Sequence, residues 1–513
     1  MSSSTIFMLI SIVVYMIGIV WIGILCSKKN KNTDDFYLGG RKLGPFVTAM
    51  SAEASDMSSW LLMGLPGVAL VTGLAEPVWT AVGLAVGTYL NWLIVAKRIR
   101  VYTQICGNSS TVPAFFSNRY RDDKRILSVI AAVVIVIFFV PYTASGFSAC
   151  GKLFNSLFGI DYHVAMVVSA LVIVAYTALG GFLAASTTDF IQSIVMTLAI
   201  FVVIIYGTTT AGGIDVVIDN AKSMAGYFSV TSIFNPDTGA AEPYSLLTIV
   251  SLLAWGLGYF GMPHILLRFM AVEKPEKIKL SRRVATIWVV ISMAVSIFIG
   301  VAGNAMIHAG RIESQNDSER ILIAIATAIS KHGVLPALIA GIILAGLLAA
   351  IMSTADSQML AASSSVSQNI VREVFVKDLS EKKSMLVARC TLIGIAFVAV
   401  ILAWNQNSSV FRIVSFAWAG FGAAFGPVVL LALFWKRSNM WGTLAGMLSG
   451  GIMVFVWKYG ISTLGGVFAI YELLPAFLVA LVVNVLVSLA TKAPSQEIVD
   501  EFELVNKTVK EIR

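Results

Sequence analysis

SAEASDMSSW, residues 51–60, lies between two apolar runs, LGPFVTAM before it and LLMGLPGVAL after it. Its ten residues hold two carboxylates, Glu53 and Asp56, and four hydroxyls, Ser51, Ser55, Ser58 and Ser59. The surrounding chain says what kind of segment this is. Of 513 residues, 58% are hydrophobic and only 12% charged, whereas soluble domains carry about a quarter charged residues. Apolar stretches of roughly 20 residues recur along the whole length. The chain therefore reads as an all-α, polytopic membrane protein, and the polar decapeptide falls inside one of its spans.

Thirteen apolar runs follow one another: 6–27, 45–72, 76–96, 127–150, 163–185, 189–210, 246–268, 284–308, 334–360, 386–404, 409–434, 440–459 and 472–491. Of the 36 Lys and Arg residues, 29 fall in the alternate segments 28–43, 97–126, 268–283, 371–389, 435–440 and 492–513. Basic residues are retained on the cytoplasmic side, so the pattern predicts a multi-pass, N-out and C-in protein of the cell membrane. The net charge of +8 follows from the same asymmetry and implies no nucleic-acid partner. The first run has no basic segment before it and is too long for a signal-peptide core, so it reads as a retained helix. Cys26, Cys106, Cys150 and Cys390 show neither disulfide-framework nor zinc spacing. The longer outer segments, 211–245 and 309–333, are expected to carry short helices or gates. The amphipathic tail after Lys492 is expected to be a solvated end or to lie along the membrane surface.

Ionisable residues inside a membrane are costly and mark a pathway by default. Ser and Asp bond to nearby backbone in competition with the helical ladder, so a helix break is expected within 51–60. Carbonyls freed there, with hydroxyls, make a hard-oxygen site for a small cation, and freed amides can receive a carboxylate. The plainer reading is a continuous helix whose serines bond to their own preceding turns, which leaves Asp56 unexplained. A second break is expected in LAWGLGYFGMPHILLRF, 253–269, where Gly256, Gly258, Gly261 and Pro263 weaken the helix, at about 1 kcal/mol per glycine and about 3 for proline. Trp255 and Tyr259 share a face beside it; the plainer reading is a kinked packing helix with glycines at a close crossing. In GLLAAIMSTADSQMLAASSS, 346–365, Ala350, Ser353 and Thr354 follow an i, i+3, i+4 pattern and can converge on one hard cation. The alternative there is small residues for tight helix packing.

The breaks fall in the second and seventh spans, so five spans begin with each. An odd number of spans makes the two units insert with opposite orientation, the inverted-repeat layout of secondary transporters. The expected organisation is a single transporter domain. An extra helix and loop (6–44) precede the first five-helix repeat (45–210). The second repeat (246–434), two additional helices (440–491) and a cytoplasmic tail (492–513) follow.

Four stretches, YLGGRKLGPFVTAMSAEASDMSSWLLMGLPG (37–67), WGLGYFGMPHILLRFMA (255–271), MSTADSQML (352–360) and SFAWAGFGAAFGPVVLLALFWKR (415–437), resemble the sodium:solute symporter family, in its proline branch. The resemblance implies the leucine-transporter fold and alternating-access symport of L-proline into the cell. It implies Na+ as coupling ion, no other cofactor, and no obligate protein partner. Carried onto this chain, the Na+ ligands would be the carbonyls of Ala54, Met57 and Ala350 and the hydroxyls of Ser353 and Thr354, with Asp56 near or coupled to the ion. The substrate residues would be Ser58, Tyr142, Trp255, Tyr259 and Pro263. An aromatic enclosure suits a ring and its ammonium group.

The chain departs from the family pattern at Glu53, Ser59 and Asp356, the first two standing where the family has glycine, the third where it has no acid. The alternative within the class is a Na+-coupled carrier of pantothenate, a sugar or another amino acid. A cation channel would show repeated filter sequence, and an enzyme a motif such as HExxH or GxSxG; neither is visible, and the tail is short for a signalling domain.

Overall fold

The computed structural model describes residues 2–27, 33–376 and 380–512. The basic residues Lys28, Lys29 and Lys31, and Lys377, which entered the topology argument, lie outside the described residues. The helices of eight residues or more, in chain order, are α1 (Ser3–Ser27), α2 (Pro45–Asp56), α3 (Trp60–Thr72), α4 (Ala75–Ile105), α5 (Val112–Arg119), α6 (Ile126–Phe158) and α7 (Tyr162–Ala211). They continue with α8 (Ile214–Ser223), α9 (Leu246–Gly261), α10 (Pro263–Ala271), α11 (Ile278–His308), α12 (Ile321–Ser330) and α13 (Val334–Phe375). Last come α14 (Glu381–Leu402), α15 (Val410–Phe434), α16 (Met440–Tyr459), α17 (Leu473–Ala490) and α18 (Gln496–Glu511).

Among the described residues, ten helices are long and apolar enough to cross a membrane, or twelve when each of two bent pairs counts as one span. Of the thirteen expected runs, 163–185 is matched only by a shorter apolar helix, Tyr162–Ala175. The expected gap between the fifth and sixth runs is itself helical. The Thr187 and Thr188 hydroxyls bond back to the Leu183 and Ala184 carbonyls, which lets polar residues stay in the helix. The backbone departs from helical geometry earlier, at Gly181 (φ 66°), where a side chain would be strained.

Both expected breaks are present. The α2 and α3 axes differ by 60°, and those of α9 and α10 by 48°. At the first, the Ser58 amide bonds Asp56 (2.8 Å) instead of Ala54, and the Leu61 amide bonds Ser58 (3.1 Å) instead of Met57. The Ala54 and Met57 carbonyls therefore leave the ladder. At the second, residues 254–261 wind more tightly than an α-helix, and Met262 is extended (ψ 110°) as the residue before a proline must be. The glycines there also serve close crossings, so the break and the packing reading both hold. A Cβ on Gly258 would collide with the Trp418 indole, and one on Gly261 with the Phe421 carbonyl.

The first broken helix packs against α7, α11 and α13, and the tight part of α9 against α4 and α15. The helix α1 lies along α7 and α13, while α16 and α17 pack on each other and on α15. The outer segments carry short structure as expected: α8 and a two-stranded hairpin (Ser232–Phe234 with Ala241–Pro243) in the first, a turn at Ser318–Arg320 and α12 in the second. Within that turn Glu319 accepts from Lys152 of α6 (2.7 Å), the Ser409 hydroxyl (2.8 Å) and the amides of Val410 and Phe411 (3.1 Å each). A carboxylate thus satisfies the free amides at the N-terminus of α15. The tail is helical, with one face docked on the rest of the protein and the other exposed. Its α18 buries Ile498, Phe502 and Val505, and Arg121 pairs with Glu497 and Glu501.

Candidate functional site

Ser353, on α13, donates its hydroxyl to the Ala54 carbonyl at the first break (2.8 Å) and lies 3.2 Å from the Ala350 carbonyl. Three of the expected cation ligands thus meet. Thr354 is the next residue of the same helix; its Oγ1 is buried and has no partner. Met57, fully buried, carries the second carbonyl released by the break. An unpaired buried hydroxyl is costly unless something coordinates it. Carbonyl and hydroxyl oxygens on two facing helices form a hard-oxygen set of the kind Na+ takes.

Asp56 stands at the end of α2 with no exposed surface. Its Oδ2 accepts from the Tyr259 hydroxyl (2.6 Å), and its backbone carbonyl from the Trp60 indole (2.9 Å) and the Tyr142 hydroxyl (3.3 Å). The two broken helices are therefore joined through one aspartate. Ser58 accepts from the Trp60 amide (3.4 Å). The Trp255 ring stacks on Tyr471 (5.0 Å between centroids) and packs on Phe411 (5.5 Å), while Tyr259 meets Trp418 edge-on (5.0 Å). Pro263 is the first residue of α10 and buried. Ser58, Tyr142, Trp255 and Tyr259 are all at most 2% exposed, so the aromatic enclosure is buried within the protein. The Trp255 carbonyl accepts from the Trp418 indole (2.8 Å), and the Tyr259 carbonyl, four residues before Pro263 with its missing N–H, accepts from the Asn91 amide (2.9 Å).

Glu53 faces α4, where the Trp92 indole donates to its Oε1 (2.8 Å). The sequence reading left open which of Glu53 and Asp56 lines the path; in the structure Asp56 meets the second broken helix and Glu53 its neighbour. Trp60, Phe411, Trp418 and Tyr471 complete the enclosure, and these, with Trp92 beside Glu53, were not anticipated as site residues. Aromatic density in SFAWAGFG was the available signal for Trp418.

A second polar cluster lies toward the C-terminal half of α10. Arg268, assigned from sequence to an inner loop, is instead 1% exposed within that helix. It bonds Asp189 (2.8 Å), Ser51 (2.7 Å), Ser357 (2.6 Å) and the His264 carbonyl (2.8 Å). A guanidinium can stay buried there because each of its three nitrogens has an acceptor. Asp356 accepts from Ser357 (3.1 Å) beside this cluster. The extra acid thus joins an ion-pair network one helical turn from Ser353.

The family model described as "Sodium:solute symporter family" matches residues 36–450. The chain belongs to this family. Its members are Na+-coupled transporters and not enzymes, and the chain is a multi-pass protein of the plasma membrane. It is 42% identical over 482 residues to the "High-affinity proline transporter PutP" of Bacillus subtilis, covering 94% of this chain and 98% of that protein. It is 40% identical over 513 residues to the "Sodium/proline symporter" of Haemophilus influenzae, covering 98% and 99%. In fold it matches the solved substrate-bound outward-open state of a Na+-coupled sialic acid symporter, with TM-score 0.78 and 18% identity over 96% of this chain and 98% of that one. The leucine-transporter fold implied by the sequence is the fold of the chain.

Proposed function

We propose that this sodium:solute symporter carries L-proline into the cell, driven by Na+. The observation that carries the coupling is the Ser353 hydroxyl set between the Ala54 and Ala350 carbonyls, with the Thr354 hydroxyl unpartnered beside it. The substrate assignment is supported by the names of the two relatives at 40–42% identity and by the aromatic enclosure of Trp255, Tyr259 and Tyr142. In this reading Na+ is held by the carbonyls of Ala54, Met57 and Ala350 and the hydroxyls of Ser353 and Thr354. Ion binding ties α13 to the end of α2 and sets Asp56 against Tyr259. Proline then takes its place among Ser58, Tyr142, Trp255, Tyr259 and Pro263: aromatic faces hold the ring and its ammonium, and amides at the break hold the carboxylate.

The units 45–210 and 246–434 are the inverted pair whose relative rocking exposes the site to each side in turn, in an N-out, C-in chain. One Na+ moving inward is worth roughly 2.3 kcal/mol per 100 mV, or about fiftyfold accumulation at roughly 1.4 kcal/mol per tenfold.

The test is radiolabelled L-proline uptake into proteoliposomes with Na+, Li+, K+ or H+ as the sole inward gradient, for wild type and Asp56→Ala. Uptake with Na+ that is lost in the variant is the expected result. Equal uptake with H+ overturns the Na+ assignment, and no proline uptake by folded protein under any gradient overturns the substrate.

A further inference from the structure

The helix α18 lies outside both five-helix units, yet it meets the end of each. Arg98, on α4 of the first unit, donates to the Leu433 carbonyl at the end of α15 in the second unit, and to the Asn506 side chain of α18. Its guanidinium also lies over two rings, Phe434 of α15 (4.9 Å to the centroid) and Phe502 of α18 (5.0 Å). Arg119, on α5 of the first unit, repeats the arrangement. It donates to the Ala432 carbonyl of α15 (3.3 Å) and lies 5.5 Å from the same Phe502 ring. Phe502 is thus the point at which α4, α5, α15 and α18 come together.

Arg119 makes that ring matter. It is fully buried, and neither of its terminal nitrogens has a hydrogen-bond partner. What faces its charge instead is three aromatic rings, Tyr102 (5.2 Å), Tyr120 (5.0 Å) and Phe502. A desolvated cation gains most from such faces, so lifting α18 away removes one of three supports from a buried charge. Charge complementarity extends outward from there. Arg121 pairs with Glu497 (3.0 Å) and Glu501 (2.7 Å), and Lys436, just past α15, with Glu503 (3.6 Å). Lys97 of α4 donates to the Ile512 carbonyl at the far end of α18.

The basic residues of 97–126 and 435–440 assign this meeting to the cytoplasmic side. Alternating access requires the inner ends of the two units to part when the site opens inward, and α18 holds α4 and α5 to α15 at those ends. We propose that α18 is a clasp that keeps the inner side closed and leaves α4 when the site opens to the cytoplasm. This rests on the Na+-coupled, alternating-access reading above but not on proline as the solute.

The chain carries its own reporter. Cys106, directly after α4, is fully buried and neighbours Glu501 of α18. The experiment is the rate at which a water-soluble maleimide labels Cys106 in the purified full-length protein in detergent, with Cys26, Cys150 and Cys390 replaced by alanine, in NaCl or KCl of equal ionic strength. Na+ arriving from outside favours the state closed inward, so labelling should be slower in Na+ than in K+. Phe502→Ala should label about tenfold faster in Na+ and need a correspondingly higher Na+ concentration for half-maximal uptake in proteoliposomes, because part of the ion's binding energy then goes into closing the inner side. Ile498→Ala, a smaller loss from the same buried face, should shift both quantities in the same direction and serves if Phe502→Ala does not fold. Equal labelling in the two salts, with Na+-driven uptake intact, overturns the clasp. So does faster labelling in the variants with the Na+ dependence of uptake unchanged, which would make α18 a cover and nothing more. Absence of Na+-driven uptake in the protein that keeps all four cysteines would instead defeat the coupling assignment.

Discussion

The Ser353 hydroxyl lies 2.8 Å from the Ala54 carbonyl, across 299 residues of sequence. One side chain thereby binds the end of the first broken helix to a long unbroken one. A hydroxyl in this position caps a carbonyl that the break has taken out of the helical ladder.

Ser353→Ala removes one ion ligand and leaves the Ala54 carbonyl without its partner. Hydrogen bonds and ligands to charged groups are worth about 1.5–3 kcal/mol, so half-saturation by Na+ should shift upward by roughly ten- to a hundredfold. Na+ titration of solute uptake measures it. An unchanged Na+ dependence would remove Ser353 from the site.

Tyr259→Phe and Trp255→Ala should separate two functions. The first leaves Asp56 without its 2.6 Å hydrogen bond and should lower the maximal rate and weaken Na+ dependence. The second opens the enclosure facing Tyr471 and Phe411 and should raise the solute KM by tenfold or more. Initial-rate uptake at varied Na+ and varied solute distinguishes them; identical profiles would contradict the assignment.

Arg268→Met strands Asp189 in the interior. Breaking a buried ion pair from one side costs about 3–5 kcal/mol, while replacing both partners costs much less. The double variant Arg268→Met/Asp189→Asn should therefore melt at a higher temperature than the single one. Thermal unfolding in detergent tests the order, and a double variant below the single would show that Arg268 acts through its serine partners.

Phe502→Ala and Glu497→Ala address how α18 is held. Phe502 is 4% exposed and packs against Tyr102, while the Glu497 side chain is 71% exposed. Loss of the ring should cost about 3–5 kcal/mol of local docking; loss of the surface pair should cost less than about 1. Protease sensitivity of the tail reads both, and the ranking reverses only if charge holds the helix.

Both helix breaks were legible because they follow from local chemistry. Serine and aspartate compete for backbone bonds at 51–60, and glycines with a proline weaken 256–263, whatever surrounds them. The Ala350–Ser353–Thr354 stripe was legible for the same kind of reason, since helical periodicity alone puts its oxygens on one face. The gap expected between the fifth and sixth runs was misplaced because threonine hydroxyls at 187 and 188 bond back to the helix, which composition does not reveal.

The partners of these groups were a different matter. Periodicity says which way a side chain points along its own helix but not which helix it meets. That Glu53 meets Trp92 while Asp56 meets Tyr259, and that Arg268 leaves the inner loop to pair with Asp189, depends on helix contacts between residues 39, 203 and 79 positions apart. The local backbone chemistry of this chain dictates where its helices stop; the packing of distant helices alone decides which buried charges are matched, because Coulomb and hydrogen-bond energies depend on distances that neighbours in sequence do not set.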